Sequence, residues 1–107
     1  MNRLETYKRN LALKSLLLKH RGVENAIKTK SICSELNSLG YLTRARSLPT
    51  IIQKLREEYN LPIGYKRCSG YFIVKSKRDI EVTVKDMEMQ IKTLQETIEF
   101  MKSFIIQ

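Results

Sequence analysis

The chain has 107 residues, 42% of them hydrophobic and 29% charged, and a formal net charge of +9. That length allows one compact domain with one appended element. Apolar runs such as Leu16-Leu17-Leu18 and Tyr71-Phe72-Ile73-Val74 are far short of a bilayer span, and the opening MNRLETYKRN carries neither part of an export signal. A cytoplasmic protein is therefore expected, with no membrane partner.

The charge is unevenly placed. Residues 1–78 hold 17 Lys and Arg against 5 Asp and Glu, an excess of +12; residues 79–107 hold 3 against 6, a deficit of −3. A basic head followed by a mildly acidic tail points to a polyanionic partner for the head. The single histidine, His20, and two widely spaced cysteines, Cys33 and Cys68, do not make a metal site. A disulfide is not expected in a reducing compartment. With no Gly-rich phosphate loop, no paired carboxylates and no Cys/His pairing, neither an enzyme nor a cofactor is expected.

In chain order, NRLETYKRNLALKSLLLKHR has apolar residues at Leu4, Tyr7, Leu11 and Leu18, with Leu13, Leu16 and Leu17 filling in, which predicts a helix with a broad buried face. Gly22 stands just past its cationic end. A second, shorter helix is predicted in NAIKTKSICSELNSLG, with Thr29 as N-cap, Ile32, Leu36 and Leu39 on one inward face, and an end between Asn37 and Gly40.

The third helix is marked by Leu48, Ile51, Ile52, Leu55 and Tyr59. Ser47 is its expected N-cap, Pro49 is tolerated in the first turn, and Pro62 disfavours helical geometry at Leu61. Two β-prone stretches, Ile63 to Lys66 and Tyr71 to Lys75, then flank RCSG, a turn signal. Three helices and a hairpin with a basic tip predict a winged helix-turn-helix at residues 1–78.

Residues 79–107 are expected to form a long helix for dimerisation, the alternative being a helix folded back onto the first one. Ile80, Val84, Met87, Ile91, Leu94, Ile98, Met101 and Ile105 are spaced 4-3-4-3-4-3-4, a heptad seam over almost four heptads. Branched residues at a with Leu or Met at d favour a two-stranded coil, and a parallel homodimer is the simplest arrangement. The flanking pairs of a parallel coil, Thr83/Glu88, Gln90/Gln95 and Thr97/Lys102, hold no opposite charges, so both orientations stay open. Phe100 and Phe104 lie off the seam, as if for packing against a domain or a second dimer.

In a helix-turn-helix the second helix of the pair enters the major groove. Arg44 and Arg46 stand just before that helix, and Ser47, Thr50, Gln53 and Lys54 lie on its polar side, types that can read guanine and adenine edges. Lys28 and Lys30 suit phosphates at the start of the second helix. Lys66 and Arg67, with Lys75 and Lys77 behind them, place the hairpin against the backbone or minor groove. Arg56, Glu57 and Glu58 are expected on the solvated back of the helix, and Tyr41 and Tyr65 in packing.

GVENAIKTKSICSEL, IIQKLREEYNLPI and SGYFIVKS resemble small winged helix-turn-helix DNA-binding proteins of phages and mobile elements of Gram-positive bacteria, over roughly residues 5–105. The resemblance implies double-stranded DNA binding in transcriptional regulation or replication. One departure is the connection NSLGYLTRAR, about four residues longer than a tight helix-turn-helix turn. The alternative is an inhibitor or adaptor whose basic face occupies a host protein.

Overall fold

The computed structural model describes residues 1–105; the last two residues of the C-terminal segment, 106 and 107, lie outside the described residues. Four α-helices and one hairpin follow in order: α1 (Arg3–Leu17), α2 (Thr29–Ser38), α3 (Leu48–Tyr59), β1 (Ile63–Lys66), β2 (Gly70–Ile73) and α4 (Lys77–Lys102). Short 3-10 turns at Val23–Asn25 and Ala45–Ser47 precede α2 and α3. Helices α1, α2 and α3 share one core, built on Leu13, Leu17, Ile32, Leu36, Leu48, Ile52 and Leu55, all fully buried. The arrangement is a winged helix-turn-helix with a long helix after the wing.

The hairpin is antiparallel, with Ile63 opposite Ile73 and Tyr65 opposite Tyr71. A third segment completes it. Ile27 and Tyr71 exchange both backbone hydrogen bonds, at 2.8 and 2.9 Å, while the Gly22 N–H donates to the Ile73 carbonyl and the Ile73 N–H to that of His20, each at 2.8 Å. The chain between α1 and α2 is thus fastened to the outer edge of β2. Gly70, at φ +109°, lies so near the Ile27 carbonyl that any Cβ would overlap it.

Side chains alternate across the two strands. Ile63, Tyr65, Tyr71 and Ile73 face the three-helix core, and the reverse face presents Gly64 and the wholly buried Phe72 to α4. A Cβ at Gly64 would come within 2.5 Å of both Phe72 and Thr83, so the missing side chain is what lets α4 lie this close.

Helix α4 starts at Ser76, whose Oγ accepts the Asp79 N–H. Its face toward the hairpin is polar. Asp79 is 2% exposed and accepts the Val23 N–H at 3.3 Å and the Lys75 N–H at 3.0 Å. Thr83, also buried, accepts the Tyr65 N–H at 3.2 Å, and Asp86 accepts the Arg67 N–H at 3.0 Å. Beyond Asp86, every residue from Met87 to Ile105 is exposed.

Helix α1 departs from the expected pattern. Its buried positions are Asn10, Leu13 and Leu17, whereas Leu4, Tyr7, Leu11 and Leu18 face solvent. Only a narrow stripe of α1 meets α2, α3 and β2, and Asn10 is tolerated there because its Oδ1 accepts from the Arg9 guanidinium at 3.0 and 3.2 Å. The two later caps also differ. Thr29 is the first residue of α2, with Lys28 at the cap position, and Ser47 has helical angles with no side-chain capping bond.

Removing the Asp79 carboxylate leaves two backbone N–H groups without their acceptor. Asp79→Ala is expected to cost about 2–4 kcal/mol, read as a lower denaturation midpoint, because unpaired buried donors are expensive. A cost within experimental error would remove this residue from any part in holding α4 to the hairpin.

Candidate nucleic-acid interface

The connection between α2 and α3 is ordered by its own contacts. Gly40, at φ +90°, ends α2; its N–H reaches the Asn37 carbonyl, and the Tyr41 N–H reaches that of Leu36, so the last carbonyls are satisfied. The chain then folds over the buried Thr43, whose N–H donates to Asn37 Oδ1 at 2.8 Å and whose hydroxyl donates to the Tyr41 carbonyl at 2.9 Å. Arg44 and Arg46 follow at once and are both exposed. Asn37 and Thr43 therefore aim the arginines. An Asn six residues before a Thr is too weak a signal to have shown this in the sequence.

Helix α3 turns Leu48, Ile51, Ile52 and Leu55 inward, leaving Thr50, Gln53 and Lys54 outward with Ser47 at the entry. Neither α2 nor α3 has a side-chain N-cap, in contrast to α1 and α4, which are capped by Asn2 and Ser76. An uncapped helix start carries the positive end of the helix dipole, and at α2 it keeps N–H groups available for an anion, whereas at α3 the Leu48 N–H donates to the Ala45 carbonyl and Pro49 has none. Each is flanked by basic side chains, Lys28 and Lys30 at α2, Arg44 and Arg46 at α3.

The start of α2 meets the hairpin tip. Lys28, Thr29, Lys30, Tyr65, Cys68 and Gly70 border an open groove of about 360 Å³. Lys66 and Arg67 are exposed beside it. The tip itself is fixed from below by the bond from the Arg67 N–H to Asp86. Cys68 sits in the turn at φ +69° and is exposed, whereas Cys33 is buried in α2, and burial pushes its thiol up from the ordinary value.

Of the twelve basic and polar residues the sequence suggested for DNA, ten gather at α2, α3 and the tip. Lys75 and Lys77 lie instead at the base of the hairpin. Lys75 pairs with Glu24, and that hydrogen bond holds the Glu24 carboxyl below the usual carboxylate range. Gln53 is also engaged, donating to Glu57 at 3.1 Å and accepting from Arg56 at 3.0 Å.

Arg56 is not on the solvated back of the helix. It is half-buried and its Nε–H donates to the Ile63 carbonyl at 2.9 Å, tying α3 to β1. Burial lowers its pKa. Tyr65 and Tyr71 pack ring to ring at 4.8 Å, and Tyr41 is half-buried against the core, so packing accounts for these aromatics. His20, past the end of α1, has its Nδ1 2.9 Å from the Asn25 carbonyl.

All eight seam residues are exposed, from 40% at Met87 to 80% at Ile105, although α4 ends at Lys102, so that Ile105 lies in the turn that follows rather than on the expected helix. The helix therefore turns a polar stripe to its own hairpin and an apolar stripe outward. Among the described residues, no helix is long and apolar enough to cross a membrane.

The fold is that of a winged helix-turn-helix protein with an appended helix. Compared with known proteins, the chain matches no family model, no curated protein and no solved structure.

Because Arg56 joins the candidate recognition helix to the wing through a charged donor, Arg56→Ala is expected to destabilise the protein by about 1.5–3 kcal/mol. Thermal unfolding reads this, and Lys54→Ala, exposed on the same helix, is expected to stay within about 0.5 kcal/mol of the parent.

Proposed function

We propose that the protein is a dimeric double-stranded DNA-binding protein, a regulator or replication factor of a phage or mobile element. Helix α3 enters the major groove, and the basic hairpin tip and the start of α2 hold the phosphate backbone. The observation that carries this reading is the pair Arg44 and Arg46, exposed on a turn braced by Asn37 and Thr43 and leading into an uncapped helix.

The division of labour follows from chemistry. Arg can take guanine O6 and N7 bidentately, so Arg44 and Arg46, with Thr50 and Lys54, act on base edges. Lys28, Lys30, Lys66 and Arg67 supply charge to phosphates, which sets position rather than sequence. Glu57 and Glu58 farther along α3 disfavour close contact with phosphates there, so the first two turns carry the readout. Lys75, paired with Glu24, contributes little.

The seam on α4 joins two copies. A continuous apolar stripe of eight side chains is what a two-stranded coil buries, and each buried side chain of this size contributes about 1.5–3 kcal/mol. Two heads held at fixed separation would read two half-sites.

Titrating a random duplex with the protein at several salt concentrations tests the DNA reading. Log affinity is expected to fall linearly with log salt, at roughly −0.9 per phosphate neutralised. Absence of binding at low salt would sink it and assign the basic head to an acidic protein surface. Once a preferred site is selected, Arg44→Ala with Arg46→Ala is expected to weaken it by about tenfold to a hundredfold or more, and random duplex by much less. Equal losses would make both arginines phosphate contacts.

For the seam, Ile91→Asp with Ile98→Asp is expected to halve the mass in sedimentation. An unchanged mass removes the coil from the proposal.

A further inference from the structure

We infer that the two α4 helices pair antiparallel and in full overlap, so that each chain's exposed aromatic pair, Phe100 and Phe104, docks on the partner's head. This rests on the two-chain reading of the seam proposed above and adds its direction and a second contact.

The first argument is charge. In full antiparallel overlap the helical seam layers pair Val84 with the partner's Met101, Met87 with the partner's Ile98 and Ile91 with the partner's Leu94, and Ile80 comes level with the partner's Ile105 in the turn that follows α4. On one flank this register sets Glu81 beside the partner's Lys102 and Glu88 beside the partner's Gln95. Twofold symmetry repeats the Glu81–Lys102 pair. A parallel coil brings no opposite charges together on either flank.

The second argument is the face on which the head sits. Asp79, Thr83 and Asp86, bonded to the chain's own hairpin and its flanks, lie along one stripe of α4. Thr93, Thr97 and Phe100 continue that stripe toward the C-terminus at the same three- and four-residue spacing, and Phe104, in the turn just past the helix end, packs on Phe100. In an antiparallel pair the two stripes lie on the same side, each helix's C-terminal half running past its partner's head. Phe100 and Phe104 then point at that head. In a parallel pair the heads sit together at one end, and the rings stay in water about 20 Å farther along the helix.

The third argument is the state of the rings and of the surface they meet. Phe100 and Phe104 are 63% and 53% exposed and already packed edge to face at 5.1 Å, a preassembled apolar patch off the seam. On the head, an open groove of about 300 Å³ runs between α3, the hairpin and α4, bordered by Pro49, Ile52, Arg56, Tyr65, Tyr71 and Met87. Met87 is itself a seam residue, so this groove adjoins the line along which the partner helix runs.

The test is an inter-chain distance in the full-length protein. Cys68→Ser removes the exposed thiol, Cys33 is buried, and Glu81→Cys carries a nitroxide label. An antiparallel pair in this register separates the two labels by roughly 35 Å, about 23 residues of rise. Labels within about 20 Å of each other would show a parallel coil, overturning this inference while leaving the dimer intact. A monomeric mass with no coupling between labels would overturn both readings.

Two sets of variants complete it. Glu81→Lys and Lys102→Glu are each expected to weaken association about two- to tenfold, and the double exchange to restore it. Failure to restore removes the charge pair. Phe100→Ala with Phe104→Ala is expected to weaken association at least tenfold with the helix content unchanged; unaltered association would show that the rings touch nothing on the partner.

Discussion

The structure depends on four backbone N–H groups of the hairpin and its flanks that find their acceptors on one helix. Val23, Lys75, Tyr65 and Arg67 donate to Asp79, Thr83 and Asp86, side chains spaced four and three apart along α4. A two-stranded hairpin is marginal by itself in water, and its outer strand groups need partners. Here the core covers one face, the segment around Ile27 closes one edge, and α4 covers the other face while satisfying donors. Directed bonds do more than apolar contact could. They fix the rotation of α4 about its own axis, because a turn of one residue would carry all three acceptors away from their donors together.

That rotation decides what the protein offers to its surroundings. With the polar stripe committed inward, the heptad stripe faces outward over the whole helix. The inversion of the usual amphipathic rule explains why the seam is so regular. It does not have to conform to the irregular surface of the head. The lack of a side chain at Gly64 belongs to the same design, since it admits α4 close enough for Thr83 to reach the Tyr65 N–H.

Much of this was legible in the sequence, for a physical reason in each case. Helix α3 declared itself by four inward apolar residues at unambiguous spacing, and α4 by an unbroken heptad. The hairpin was marked by β-prone residues either side of a Ser-Gly turn. What could not be read depends on contacts made at long range. The periodicity of α1 was visible, but its leucines are abundant on both sides, and only the packing against α2, α3 and β2 selects Leu13 and Leu17 over Leu4 and Leu11. Arg56 looked like a surface charge because its acceptor, the Ile63 carbonyl, is supplied by the fold. The polar stripe at Asp79, Thr83 and Asp86 was hidden by its composition, which reads as solvated helix until the hairpin is laid on it.

The candidate interface divides along the same line. Basic residues beside a helix start or a turn are local features, so Lys28, Lys30, Arg44, Arg46, Lys66 and Arg67 could be named in advance, whereas the missing caps of α2 and α3 could not, since Thr29 and Ser47 read as N-caps. Their aim is not local. Asn37 and Thr43 set the arginines, Tyr65 against Tyr71 sets the strands beneath the tip, and Asp86 holds the tip from the far side. Asp86 sits on the helix that carries the seam, one residue before Met87. The tip of the wing and the exposed apolar seam are thus held by two faces of one helical turn. Any force that tilts α4 at its seam acts on the Arg67 amide through a single carboxylate, so the placement of the wing and the orientation of the seam are mechanically one problem.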